Sequence, residues 1–387
     1  MVTQPIVAPL DVSLIQHNRV IEPALSDYWA LTKPEVNFLI VITTFAGFYL
    51  GRAGPWRDFP FLLMIHTLVG TLLVASGTGT LNQYIERRFD ARMRRTSRRP
   101  LAAGRLKPSA VLWFGVALSL MGSVYLAVAV NLLASLLAVL TLLSYLFLYT
   151  PLKRRTPLCT LVGAFPGAMP PLIGWAGASG KLSFEAWVLY ALLFLWQFPH
   201  FMAIAWMYRD DYDRAGYLVL PPDGPARDRF VNFQTILPLL GLVALSPLLA
   251  LGRQPSLLCG MGVFLLSLGF FGCGAQFVLR RTNSAARRLL AASVISLPSI
   301  FIWMVLLTSR RASWHSGFEN QVAYHEEKSN AVTGLSQVPC QPRGLDCLSA
   351  QHLDEYLLSA VRISRMRNDK SSQSSWRSKT HVETKGV

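Results

Sequence analysis

Nine apolar runs of about 20 residues punctuate the chain, at roughly 35–52, 60–82, 109–129, 131–150, 157–178, 185–207, 232–251, 255–279 and 288–308. A helix rises about 1.5 Å per residue, so each run is long enough to cross a hydrocarbon core about 30 Å thick. Lipid offers no partner to a stray backbone N–H or C=O, and each run therefore predicts a helix. The third and fourth are divided only by "VNLL". The pattern predicts an all-α membrane protein. It comprises a bundle of nine transmembrane helices within 31–309, an N-terminal segment over 1–30 and a polar tail over 310–387.

Composition agrees. Hydrophobic residues make up 52% of the chain and charged residues only 15%, against about 25% in soluble domains. The charges then orient the bundle. Taking the N-terminus as cytoplasmic, the loops on that side carry 22 lysines and arginines, and the opposite loops carry Arg52, Arg57, Lys181 and Arg253. That asymmetry in short loops predicts a cytoplasmic N-terminus and places the C-terminus outside. The formal net charge of +16 is then explained by anionic lipid and topology, with no nucleic-acid partner implied. The first 30 residues lack a signal-peptide apolar segment and an arginine-rich amphipathic pattern, which points to a multi-pass protein of a bacterial cell inner (cytoplasmic) membrane. Cys159, Cys259 and Cys273 read as small core residues, whereas Cys340 and Cys347 share the tail, where spacing alone does not show a disulfide. The tail beyond about Trp314 reads as disordered, with a short helix expected near "LDEYLLSAVRI".

The chemistry sits where the second run ends. "NQYIERRFDARMRRTSRRPL" continues straight out of the apolar stretch, and Asn82, Glu86 and Asp90 recur every four residues, on one helix face. A solvated helix end whose acids pair with neighbouring arginines is the ordinary reading. Carboxylates leaving a membrane span unbroken among so many arginines call for more. Magnesium binds through one or two carboxylates plus substrate phosphates, and arginines neutralise the remaining phosphate charge, so the predicted ligand is a diphosphate with Mg²⁺. A second acidic end, "WMYRDDYDRAGY", closes the sixth run with Arg209, Asp210, Asp211 and Asp213, and suggests a second metal site facing the same cavity. Between them, "YLFLYTPLKRRTP" supplies Tyr145, Tyr149 and Lys153. Interfacial tyrosines are more often belt residues than ligands, whereas Lys153 is placed to reach a phosphate oxygen. His200, in "WQFPHF", lies about 16 Å from Asp211 along a regular helix, deep in the bundle. An intramembrane histidine is a candidate functional group; the alternative is a bond to a backbone carbonyl freed by Pro199.

The pieces "NQYIERRFDARMRRTSRRPL", "YTPLKR", "VGAFPGAMPPLIGWA", "WQFPHFMAIAW" and "RDDYDRAGY" together resemble the UbiA-type intramembrane prenyltransferases, in particular their haem-modifying branch. The similarity runs from Leu31 to near Leu307. The resemblance implies transfer of the farnesyl group of farnesyl diphosphate to a vinyl group of haem b, giving haem O. By position, Asn82, Glu86 and Asp90 match the family's first metal-diphosphate motif, and Asp211 with Asp210 matches the second. Arg94, Arg95, Lys153, Arg209 and Tyr149 become candidate diphosphate contacts, and His200 a candidate haem contact. The downstream haem A synthase is the protein partner this reading suggests. Two departures stand out: Met207 occupies the position four before Asp211 where an aspartate is common, and Glu86 replaces the commoner aspartate. A quinone-precursor or chlorophyllide prenyltransferase remains the near alternative, and a transporter of an anionic lipid or metabolite the distant one.

Overall fold

A computed structural model describes residues 25–52, 58–250 and 257–307, and contains no strand among them. A short helix α1 (Leu25–Leu31) leads through a tight turn into α2 (Pro34–Gly51). Helix α3 (Phe61–Asp90) follows; its 30 residues extend about 45 Å, longer than the hydrocarbon core requires. Next come α4 (Pro108–Ala129) and α5 (Leu132–Leu143), the latter continuing through a π-helical stretch, Ser144–Tyr149, into α6 (Thr150–Leu152). After these lie α7 (Cys159–Gly167), α8 (Pro170–Ser179), α9 (Phe184–Met207) and α10 (Arg209–Ala215). Helices α11 (Pro225–Leu245), α12 (Leu257–Arg280) and α13 (Asn283–Leu307) complete the bundle.

Among the described residues, eight spans are long and apolar enough to cross a membrane, not nine. The division expected at "VNLL" is real: Asn131 caps α5, its side chain accepting from the Ala134 N–H at 2.8 Å. The fifth run is where the count of nine uninterrupted helices is not met. Its 157–178 stretch is two short helices interrupted at Ala168 and Met169, because Pro170 and Pro171 cannot donate backbone hydrogen bonds back into α7 and are at home in the first turn of α8. Unlike a lipid-facing span, α8 is buried from Pro170 to Gly177. It reaches that position through small residues. A Cβ on Gly174 would overlap the Thr44 carbonyl, and one on Gly47 would overlap the Pro171 carbonyl, so α2 and α8 meet backbone to backbone.

The polarity of the bundle is that of a protein whose solvent is lipid. Trp113, Val128 and Leu265 face outward, while α3 turns Thr67, Thr71, Ser76, Thr80, Asn82 and Gln83 inward. A larger apolar core gathers between α9, α11, α12 and α13, with Leu189, Leu239, Phe277 and Phe301. Helix α1 packs on this framework through Leu31, beside Leu101, Leu106 and Val111, and Asp27 pairs with Arg105 at 2.9 Å. Three basic connections meet at one end of the bundle: Leu218 N–H donates to the Lys153 carbonyl at 2.8 Å, and Arg95 N–H donates to Asp211 Oδ2 at 3.3 Å. Cys159 and Cys259 are buried and Cys273 is half-buried, as expected of core residues. The first 24 residues, the tail helix near "LDEYLLSAVRI" and the Cys340–Cys347 question lie outside the described residues.

Candidate active site

A cavity of about 550 Å³ opens inside the end of the bundle where the basic loops meet. Its polar wall is the last two turns of α3, where Asn82, Glu86 and Asp90 are each at most 6% exposed. Every one of these side chains meets a cation from a different part of the chain. Lys33 Nζ donates to Asn82 Oδ1 at 2.8 Å, Lys153 Nζ to Glu86 Oε1 at 2.9 Å, and Arg99 donates a guanidinium N–H to Asp90 Oδ2 at 2.7 Å. Charges in so buried a place persist only when paired. Three pairs stacked along one helix face make a polar ladder at the mouth of an otherwise apolar chamber.

Local structure explains how the cations arrive. Lys33 adopts a left-handed backbone conformation, φ 54°, at the turn between α1 and α2, uncommon for a residue with a Cβ. That turn sends its side chain along α3, where Gly79 leaves a flat surface for the stem. Arg99 comes from the α3–α4 connection, which Thr96 pins by donating its hydroxyl to the Asp90 carbonyl at 2.9 Å. Lys153 follows the π-helical stretch. With wider turns than an α-helix, that stretch keeps Tyr145, Tyr149 and Lys153 on the cavity side, the two rings 5.0 Å apart and Nζ 4.6 Å from the Tyr149 centroid. Burial opposes charge on Lys153, but the Glu86 carboxylate outweighs it and holds the ammonium well above its usual range. Lys33 has no carboxylate partner, and burial followed by the nearby Arg99 pulls it down to about 7. Burial and then Glu86 push the Tyr217 phenol upward at the same polar end.

The second acidic stretch is arranged differently. Asp211 is buried, accepting from Arg95 N–H at 3.3 Å and from the Arg214 guanidinium at 2.9 Å. It stands behind the cavity wall, whereas Arg95 and Tyr212 line it. Arg95 also lies over the Tyr208 ring at 5.0 Å. Asp210 is 82% exposed and 3.7 Å from Arg209, which itself turns to the Trp206 carbonyl and Asn283. Arg94 is exposed. The structure thus brings Asn82, Glu86, Asp90, Tyr149, Lys153, Arg95 and His200 onto one cavity, with Asp211 just behind it, and leaves Arg94, Arg209 and Asp210 off its lining. Lys33 and Arg99 join the residues expected from the sequence. The "SRRPL" continuation held the signal for Arg99, but nothing local marks Lys33.

No group of three His, Cys, Asp or Glu side chains among the described residues could hold a metal by itself. The donors present are two carboxylates and one amide oxygen along a single helix face, all hard oxygens. That set fits Mg²⁺ in its common protein setting, where one or two carboxylates hold one side of the ion and phosphate oxygens and water complete it.

Away from this polar end the cavity is mostly apolar, lined by Ile173, Leu193, Phe201, Ile204 and Leu297 among others. His200 belongs to this part. Its Nδ1 lies 2.7 Å from Ser293 Oγ on α13, so its partner is a hydroxyl on another helix and not the carbonyl freed by Pro199. Gln197, one turn earlier, donates to the Ala164 and Leu193 carbonyls at 3.2 and 3.1 Å and ties α7 to α9.

Residues 40–305 match the UbiA prenyltransferase family. A Solibacter usitatus protein named protoheme IX farnesyltransferase is 47% identical over 288 residues, covering 73% of this chain and 98% of that relative. A mitochondrial protoheme IX farnesyltransferase of Arabidopsis thaliana is 37% identical over 79% of this chain and 69% of its own. Among solved structures, the apo form of a UbiA homologue from Aeropyrum pernix K1 shares the fold with a TM-score of 0.55 at 20% identity, covering 70% of this chain and 98% of that one. A homologue from Archaeoglobus fulgidus bound to GPP and Mg²⁺ does so with a TM-score of 0.52 at 15% identity, over 72% and 99%. The match takes in the helices that build the cavity from α3 to α13, and the chain belongs to the UbiA prenyltransferase family.

Proposed function

We propose that this protein transfers the farnesyl group of farnesyl diphosphate to a vinyl group of haem b, making haem O and releasing diphosphate. The observation that carries the reading is the division of one cavity into a ladder of paired acids and bases at its mouth and an apolar chamber behind. The high identity to relatives named protoheme IX farnesyltransferase selects haem as the acceptor over a quinone precursor or chlorophyllide.

In this reading Asn82, Glu86 and Asp90 hold Mg²⁺, which when bound supplies positive charge that stabilises the departing diphosphate. Lys33, Lys153 and Arg99 turn from their carboxylate and amide partners toward phosphate oxygens, and Arg95 joins them from the connection anchored by Asp211. These preset charges act where negative charge develops as the bond between farnesyl C1 and oxygen breaks. The apolar chamber holds the prenyl chain and the porphyrin and keeps bulk water from the allylic cation. The vinyl group donates its electron pair to farnesyl C1, and the carbon left cationic beside the porphyrin ring takes water and loses a proton, which gives the hydroxyl of haem O. With the basic connections gathered at the diphosphate end, the positive-inside rule puts that end on the cytoplasmic side of a bacterial inner membrane.

The experiment is direct: membranes containing the overexpressed chain are supplied with haem b and farnesyl diphosphate, and the extracted pigments are weighed by mass spectrometry. Haem O that depends on the chain, on farnesyl diphosphate and on Mg²⁺ is the expected result. A prenylated quinone precursor in its place would reassign the acceptor.

A further inference from the structure

The diphosphate chemistry leaves the imidazole of His200 unused. His200 sits on α9 among Trp196, Phe201, Ile204 and Leu297, and is the one imidazole among the described residues lining the cavity. Side chains from both α9 and α13 hold its ring. The Trp196 indole stacks on it with centroids 4.8 Å apart and planes 22° from parallel, and Trp196 Nε1 donates to the Ser293 carbonyl at 3.0 Å. Ser293 Oγ lies 2.7 Å from His200 Nδ1 and 2.6 Å from the Leu290 carbonyl.

Those two distances decide the tautomer. A serine hydroxyl has one proton, and a carbonyl oxygen can only accept, so the short contact to Leu290 takes the Ser293 proton. The contact to His200 must then be an N–H of the imidazole donating to Ser293 Oγ. Nδ1 carries the proton and Nε2 keeps its lone pair. A histidine satisfied as part of a core would find partners for both nitrogens. Here Nε2 has no hydrogen-bond partner within the described residues.

We infer that His200 ligates the iron of the haem substrate through Nε2, and that Ser293 is the positioning residue that holds the imidazole in the tautomer and orientation this requires. The inference rests on the haem reading proposed above and deepens it by naming the grip on the acceptor. A neutral imidazole with one nitrogen donating to an oxygen of the protein and the other bare is the form in which histidine ligates a metal, and the donated hydrogen bond fixes the ring and raises the basicity of the ligating nitrogen. Iron ligation also solves a problem of registration. The chamber offers the flat, apolar porphyrin few polar anchors away from the mouth, and one bond at the centre of the ring sets its depth relative to the diphosphate ladder.

The test uses the full chain, purified in detergent and titrated with ferric haem b, followed by absorption and electron paramagnetic resonance, with farnesyl diphosphate affinity measured in parallel. Wild type is expected to show an imidazole-ligated spectrum. His200→Gly loses that signature and binds haem at least about 10-fold more weakly, free imidazole restores it, and farnesyl diphosphate affinity stays within about twofold. Ser293→Ala weakens haem binding about 10–100-fold and alters the ligand-field spectrum, while Ser293→Thr, which keeps the hydroxyl, restores both. A His200→Gly protein with the wild-type spectrum and affinity overturns the ligation, as does a failure of Ser293→Ala to differ from Ser293→Thr overturn the positioning role. The outcomes separate from the function itself. Haem O formed by wild type with an unaltered spectrum in His200→Gly removes the ligation and leaves the transferase, whereas imidazole-ligated haem without any haem O supports the ligation and removes the transferase.

Discussion

Lys153 Nζ lies 2.9 Å from Glu86 Oε1, an ion pair that joins residues 67 apart in sequence and leaves their side chains only 15% and 8% exposed. It ties the end of α3 to the end of the span that begins at α5. The pair gives the cavity a positive and a negative group at one point; in the proposed function a ligand carrying both a cation and phosphates would exchange the partners. A buried pair contributes little net stability, because desolvation offsets most of the attraction, yet breaking it from one side leaves a bare charge.

That asymmetry makes the first prediction. Glu86→Ala is expected to destabilise the folded bundle by about 3–5 kcal/mol, since Lys153 then remains buried without its partner. The double change Glu86→Met, Lys153→Met should recover most of that stability but no haem O formation. Thermal unfolding in detergent and product analysis on the three proteins check this; recovery of activity in the double variant would remove both residues from the site.

Asp90 and Lys33 test the ends of the ladder. Asp90→Ala is expected to lower turnover about 100-fold or more, by analogy with loss of a single electrostatic contact to a transition state, while circular dichroism shows the helices intact. Lys33→Met, which keeps the apolar stem and removes a charge-assisted hydrogen bond worth about 1.5–3 kcal/mol, should weaken farnesyl diphosphate binding about 10–100-fold with haem binding unaffected. Isothermal titration of each substrate separates the two. Equal weakening of both would make Lys33 a folding residue.

Asp211 and Asp213 are two residues apart but differ in surroundings. Asp211 is buried against Arg95 N–H and Arg214, whereas the Asp213 side chain is 54% exposed, 3.6 Å from Arg227. Asp211→Asn keeps an acceptor for one bond and loses the charge that holds Arg214, so the connection carrying Arg95 loosens; about 10-fold or more of kcat/KM should be lost. Asp213→Asn is expected to stay within about twofold, as surface changes generally do. Steady-state kinetics on both variants decide whether this register is right.

The α2–α8 contact predicts a purely structural effect. Gly174→Ala forces a methyl group against the Thr44 carbonyl, where no flexible side chain can give way, and should cost about 1–3 kcal/mol as overpacking does. A fall in thermal stability larger than for Gly272→Ala, whose Cβ position is open, is the outcome to look for.

The amino-acid sequence by itself determined whatever repeats within one helix. Run length marked the membrane spans, and eight of the nine runs are single continuous spans. The four-residue spacing of Asn82, Glu86 and Asp90 placed them on one face because helix geometry is local, and the structure keeps them there, buried on the cavity side. What the sequence left open depends on neighbours. Whether 157–178 crosses as one helix was decided by prolines acting together with the small-residue contact to α2, a match of two surfaces invisible in either run alone. Which cation meets which oxygen was decided by packing as well. Lys33, Arg99 and Lys153 converge on α3 from three separate connections, and in a stretch so rich in arginine the residue type does not say which will turn inward. His200 was visible as an intramembrane histidine, but its partner Ser293 lies 93 residues away, and only the docking of α13 on α9 brings that hydroxyl to Nδ1. Periodicity reports the face a side chain occupies. The group it meets is set by packing between helices, which in lipid depends on close fit and hydrogen bonds because the surrounding chains are as apolar as the helices themselves.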